Sequence, residues 1–131
     1  MTKEETQLLL KDLCSRLPYK VMVYYHYCNS HGDTINEEFK ELDFSDLETL
    51  QYNLEYAQYD KYDISWKPYL RPMSNMTEEE RKEYAKLLFA DLGGVLEDYY
   101  KSLDYLNSIH IDYRGLIERG IALEAPEGMY D

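Results

Sequence analysis

The sequence predicts a single α+β domain: a small antiparallel β-sheet of about three strands packed with three to four helices. Three observations carry this. Apolar-periodic segments open on the helix-start signature [ST]-x-x-E at Thr2–Glu5, Ser45–Glu48 and Thr77–Glu80. One run, YKVMVYYHYC at residues 19–28, is dense in β-branched and aromatic side chains. The length, 131 residues, suits one domain that buries its own core without a metal or disulfide.

Taken in order, the first helix is expected over about Lys3–Arg16. Leu9, Leu13 and Leu17 form one stripe, with Leu10 and Cys14 beside it, and Pro18 ends it. Cys14 is expected to be a small buried apolar group. Residues 19–28 form a strand. Val21, Val23, Tyr25 and Tyr27 face one way, and Met22, Tyr24, His26 and Cys28 the other. Both sets are largely apolar, so this strand is expected to be covered on both sides or to lie centrally. A polar turn, NSHGDTIN, follows with Gly32-Asp33 at its tip, and Glu37–Leu42 returns as a weaker strand.

The second helix is expected over about Asp46–Gln58. Leu47, Leu50, Leu54 and Ala57 form its seam, and Tyr52, Tyr56 and Tyr59 flank the core. Asp60–Asp63 is a turn, and Ile64–Lys67 a third strand stopped by Pro68. From Thr77 the apolar residues keep helical phase to Leu106. Gly93-Gly94 predicts a break or kink, giving helices near 78–91 and 94–108. Asp112 caps a short turn over Tyr113–Arg119, which Gly120 closes, and the tail IALEAPEGMYD is extended.

Bulk chemistry narrows the function. The formal net charge is −12, spread along the chain rather than gathered in a tail. Such a field repels phosphate backbones, which argues against direct nucleic-acid binding and favours basic partners. The 15 tyrosines suit half-buried surfaces and interfaces, and most fall at core spacing. No stretch approaches the roughly 20 apolar residues of a membrane span. The N-terminus MTKEETQLLL does not read as a signal peptide. A cytoplasmic protein with reduced Cys14 and Cys28 is expected.

Motifs for chemistry are sparse. His26, Cys28 and His31 form the one metal-like cluster, short of the four ligands a structural zinc needs, so neither metal nor cofactor is expected. A Cys28–His110 nucleophile pair is open but unsupported by spacing. Close carboxylates such as Asp43 with Asp46 suit capping better than catalysis. No phosphate loop, dinucleotide fingerprint, Ser elbow or HExxH is present.

One segment departs from the rest of the chain. From Ile64 to Thr77 there is no acidic residue, and Trp66, Lys67, Tyr69 and Arg71 sit among Pro68 and Pro72. A stiff, cationic, aromatic segment is the candidate partner-binding site. It is equally suited to lie over the protein's own acidic helix termini.

Three blocks, LLLKDLCSRLPYKV at 8–21, KPYLRPMSNMTEEE at 67–80 and HIDYRGLIERGIALEAPEGMY at 110–130, resemble a family of short acidic proteins of gut anaerobic bacteria and their phages or mobile elements. They cover a little over a third of the chain. The resemblance implies a cytoplasmic accessory protein and carries over no catalytic or binding residue. The expected function is a non-enzymatic protein-interaction module. Its partner would be basic, and in one form a nucleic-acid-handling enzyme whose groove an acidic surface occupies. The alternative is a small metal or enzymatic protein using His26, Cys28 and His31. The sequence leaves the oligomeric state open.

Overall fold

The computed structural model describes residues 2–28, 31, 33–56, 63–93 and 101–131. It is an α+β fold with a mixed sheet. Helix α1 spans Lys3–Arg16, and the Thr2 hydroxyl accepts the Glu5 amide at 3.1 Å, as the capping signature requires. Its buried residues are Thr6, Leu9, Asp12, Leu13 and Arg16. Leu10 packs partly buried against the core as expected, but the charged Asp12 and Arg16 take inward positions as well. Cys14 is therefore exposed, a correction to the sequence reading.

Leu17–Tyr19 make a single 3-10 turn, with Pro18 near its start, and Lys20 takes φ 60° to reverse the chain. That reversal delays strand β1 to Met22–Cys28, three residues later than expected. β1 lies centrally, antiparallel to β2 (Thr34–Glu41) on one side and β3 (Asp63–Pro72) on the other. β2 is longer than the predicted Glu37–Leu42 strand at its start. β4 (Ile111–Asp112) and β5 (Leu123–Glu124) run parallel to the end of β3, so the sheet is mixed rather than antiparallel. Part of the tail expected to be merely extended is thus a strand.

The expected stop at Pro68 does not occur; β3 runs four residues further. The reason lies at the end of the β1 ladder. Val23 pairs with Pro68, so Met22 and Tyr69 would pair next. There the Tyr130 hydroxyl enters instead. It accepts the Met22 amide at 3.0 Å and donates to the Tyr69 carbonyl at 2.6 Å. Backbone groups alternate edges along a strand, so with Tyr69 directed at β1 the Pro68 nitrogen points to the opposite edge. β5 pairs there only with Tyr69 and Leu70, and the missing N–H disrupts no ladder bond.

The second capping signature is displaced. Asp43 and Asp46 form the reciprocal box, Ser45 donating its amide to Asp43 at 2.8 Å and Asp43 its amide to Asp46 at 3.0 Å. The box opens a 3-10 turn over Phe44–Asp46, and α2 follows over Leu47–Tyr56. Tyr52, expected to flank the core, is exposed, and Asn53 is buried. The third signature behaves as predicted. Thr77 and Glu80 exchange bonds at 2.9 and 3.2 Å, opening α3 over Glu78–Gly93. α4 spans Lys101–Ser108, and the buried Asp91 of α3 accepts the Ser102 amide at 2.9 Å near its start. The expected Gly93-Gly94 break, the Asp60 turn, and Ala57, Gln58 and Tyr59 fall wholly or partly outside the described residues.

The core lies on the face of the sheet covered by α1 and α2. Leu9, Leu13, Val21, Val23, Leu42, Leu50, Trp66, Leu70 and Leu116 are buried together. Burial of each large aliphatic contributes about 1.5–3 kcal/mol. A smaller cluster, Met76, Leu106 and Ile111 with Tyr84 and Tyr113 against it, fixes the α3–α4 pair. Asp112 caps the following turn through both carboxylate oxygens, from Leu116 and Ile117, each at 2.9 Å. Gly120 there has φ 76°, a conformation glycine adopts without strain.

Candidate functional site

The basic-aromatic segment predicted from sequence is β3, and strand alternation sends its members to different places. Trp66 points into the core at 3% exposure, its ring 4.6 Å from that of Tyr25. Arg71 is spent within the fold. Its guanidinium grips Glu80 with two bonds of 2.8 and 2.7 Å and reaches Asn75 twice and the Ile109 carbonyl once. These contacts engage all three guanidine nitrogens. Arg71 also holds the Glu80 carboxyl down at about 2, below the usual carboxylate range. Lys67 and Tyr69 alone remain on the outer face, half-buried.

That outer face gathers a group the sequence scattered. Residues paired across strands share a face, so Tyr24, His26 and Cys28 of β1 stand beside Glu37 and Phe39 of β2 and Ser65 and Lys67 of β3. Phe39 is 56% exposed, and its ring meets Tyr69 edge-on at 5.4 Å. Tyr24 stacks with His26 at 6.0 Å and donates its hydroxyl to Glu37 at 2.6 Å. That bond is the main cause raising the Tyr24 phenol to about 12. Along β2, Glu37, Phe39 and Glu41 alternate onto this face as acid, aromatic, acid, and β2 is an edge strand. An aromatic surface bracketed by carboxylates suits a cationic side chain, which gains from the ring face and the charge together.

The metal-like trio is brought together in part. Cys28 Sγ lies 3.3 Å from His26 Nε2. No group of three His, Cys, Asp or Glu side chains placed to hold a metal occurs among the described residues. The Cys28–His110 pairing does not form: His110 is stacked on Tyr130, ring centroids 3.6 Å apart.

His110 borders a polar cleft of about 600 Å³, with Arg71, Thr77, Glu80, Ser108 and the chain from Glu124 to Asp131. Burial, aided by Arg16 and Arg71, lowers the His110 imidazole to about 4, so it is neutral at physiological pH. Behind the cleft is a clasp the sequence did not reveal. The fully buried Asp12 carboxylate accepts from Arg16 at 2.8 Å and from Arg114 at 2.6 Å. Arg16 also donates to the Ile111 carbonyl at 2.7 Å, and both guanidinium groups lie over the Tyr113 ring. The only advance sign was an acid and a base four apart on the first helix.

A separate apolar surface lies on α3. Tyr84, Leu87 and Asp91 pack inward, leaving Leu88, Phe89 and Leu92 exposed, Phe89 at 81%. Among the described residues no helix is long and apolar enough to cross a membrane. No family model, no curated protein and no solved structure matches the chain.

Proposed function

We propose that this chain is a cytoplasmic, non-enzymatic interaction protein whose outer sheet face docks a basic protein segment. The carrying observation is the Glu37–Phe39–Glu41 edge with Tyr24 and Tyr69 beside it. A lysine or arginine of the partner stacks on Phe39 or Tyr69 and pairs with Glu37 or Glu41. The net charge of −12 draws such a partner in, and makes the encounter weaken with salt. A nucleic-acid-handling enzyme, with its basic groove, is one partner of this chemistry. The sequence-level candidates Lys67 and Tyr69 belong to this surface, whereas Trp66 and Arg71 support it from within.

The test is calorimetric titration with an arginine- and lysine-rich peptide at low salt. Phe39→Ser and Tyr69→Ser should each weaken binding at least fivefold, while Phe89→Ser on α3 leaves it unchanged. Equal loss in all three, or none, would remove the sheet face from the proposal.

A further inference from the structure

Strand β2 ends one side of the sheet, and its far edge carries a row of main-chain groups. In the strand order β2-β1-β3-β4, β2 pairs with β1 alone among the described strands. Its register on β1 runs without a shift from Asn36 to Glu41, and the one irregularity falls beyond Asn36. The direction of each group follows from the end of that ladder. The Leu42 amide donates to the Val21 carbonyl at 2.9 Å, so Leu42 faces β1. Backbone groups alternate edges along a strand. Lys40 and Glu38 therefore also turn amide and carbonyl toward β1, and Glu41, Phe39 and Glu37 turn theirs outward. All three outward residues are exposed. Each offers one donor and one acceptor at strand spacing, a template for one more strand.

The side chains of the same residues select what pairs there. A second copy of this chain fits poorly. Antiparallel self-pairing centres on one residue, and each central choice opposes like charges: Glu38 on Glu38, Glu37 on Glu41 about Phe39, or Lys40 on Lys40. A strand with basic residues opposite Glu37 and Glu41, and an apolar residue opposite Phe39, meets a complementary group at all three places.

We infer, resting on the docking proposed above, that the basic partner segment binds as an extended strand added antiparallel to the free edge of β2. Its pattern is basic-x-apolar-x-basic. These alternate side chains lie on the outer face beside Phe39, and the amides and carbonyls of the same residues bond to Glu37, Phe39 and Glu41. Antiparallel addition sets each basic residue directly opposite its carboxylate and pairs slightly better than parallel addition. Main-chain bonds supply affinity, and the carboxylates set register and choice of partner. The acids that hold two copies apart thus admit a basic strand.

The experiment uses the full chain, labelled with nitrogen-15, and three capped seven-residue peptides. Each has arginine at its second and sixth places, valine at the fourth and threonine elsewhere. One is unmodified. One is N-methylated at the second, fourth and sixth amides, which face β2 in the added strand. The last is N-methylated at the third, fifth and seventh, which face away. Charge and side chains are the same in all. Methylation of the facing amides should weaken binding at least tenfold, and methylation of the far amides by no more than about twofold. At saturation the unmodified peptide should slow water exchange of the Glu37, Phe39 and Glu41 amides at least fivefold. The Glu38 and Lys40 amides, already in the ladder, should change little. Equal affinity of the two methylated peptides, with binding intact, overturns strand addition and leaves docking on the outer face standing. No binding by any of the three removes that docking and strand addition with it. Protection of the Glu37, Phe39 and Glu41 amides in the free chain, rising with its concentration, assigns the edge to a second copy and equally overturns strand addition by a partner.

Discussion

Replacing Tyr130 with phenylalanine isolates the contact that joins the C-terminal segment to the sheet. The ring and its stack on His110 stay, and only the hydroxyl is lost. With it go the bond from the Met22 amide at 3.0 Å and the bond to the Tyr69 carbonyl at 2.6 Å. A fully buried backbone group left without a partner costs about 1–3 kcal/mol. Here Met22, Tyr69 and Tyr130 are half-buried, so water recovers part of each bond and the low end applies. Two groups then give about 2 kcal/mol. For a domain of this size, 1 kcal/mol moves the melting temperature by roughly 3–5 °C, so Tm should fall by roughly 6–10 °C. Urea unfolding followed by circular dichroism reads the free energy directly. A loss below about 0.5 kcal/mol, the range of an ordinary surface change, would refute the bridging role. The same hydroxyl has an alkaline signature. Burial pushes the Tyr130 phenol up to about 12, above its ordinary value of 10.0. The folded state thus favours the protonated phenol. Its stabilising contribution is complete below pH 10 and is lost as pH rises toward 12. Tyr130→Phe should lack that alkaline component.

Other consequences follow from the same contacts. Asp12→Ala leaves two guanidinium groups without their carboxylate, one of them fully buried, and should cost about 3–5 kcal/mol in urea unfolding. An effect under 1 kcal/mol would show that the clasp is not structural. His110 is held neutral with a value of about 4, below its ordinary 6.5. Its contribution to stability is therefore present above pH 6.5 and lost as pH falls toward 4, and proton NMR titration of the ring should give a midpoint near 4 rather than near 6.5. Phe89→Ser, at a position 81% exposed, should shift stability by less than about 0.5 kcal/mol. A larger loss would mean that Phe89 packs on the chain in solution.

What could be read in the sequence was local. The cap hydroxyls of Thr2 and Thr77, the β-rich run at Met22–Cys28 and the Asp112 turn act within a few residues, so their chemistry is visible in short windows. What escaped is long-range. Pro68 looked like a strand terminus because its tolerance depends on which edge its nitrogen faces, and that is set by pairing with Val23, far away in the chain. Cys14 looked buried because nothing nearby showed that Asp12 and Arg16 would take the inward positions to meet Arg114. The candidate site was half-visible for the same reason. Lys67 and Tyr69 stood out in sequence, but period-2 alternation within β3 separates them from Trp66, and their neighbours Phe39 and Tyr24 come from other strands.

The central claim is that the outer face of the sheet, not the chain's acidity in general, receives a basic partner. Nitrogen-15 correlation spectra recorded during titration with an arginine- and lysine-rich peptide test it most directly. The account predicts shifts concentrated at Tyr24, Glu37, Phe39, Glu41, Lys67 and Tyr69, diminished by Phe39→Ser. Shifts of equal size spread over the acidic surfaces of α1 and α3, indifferent to that substitution, would contradict it.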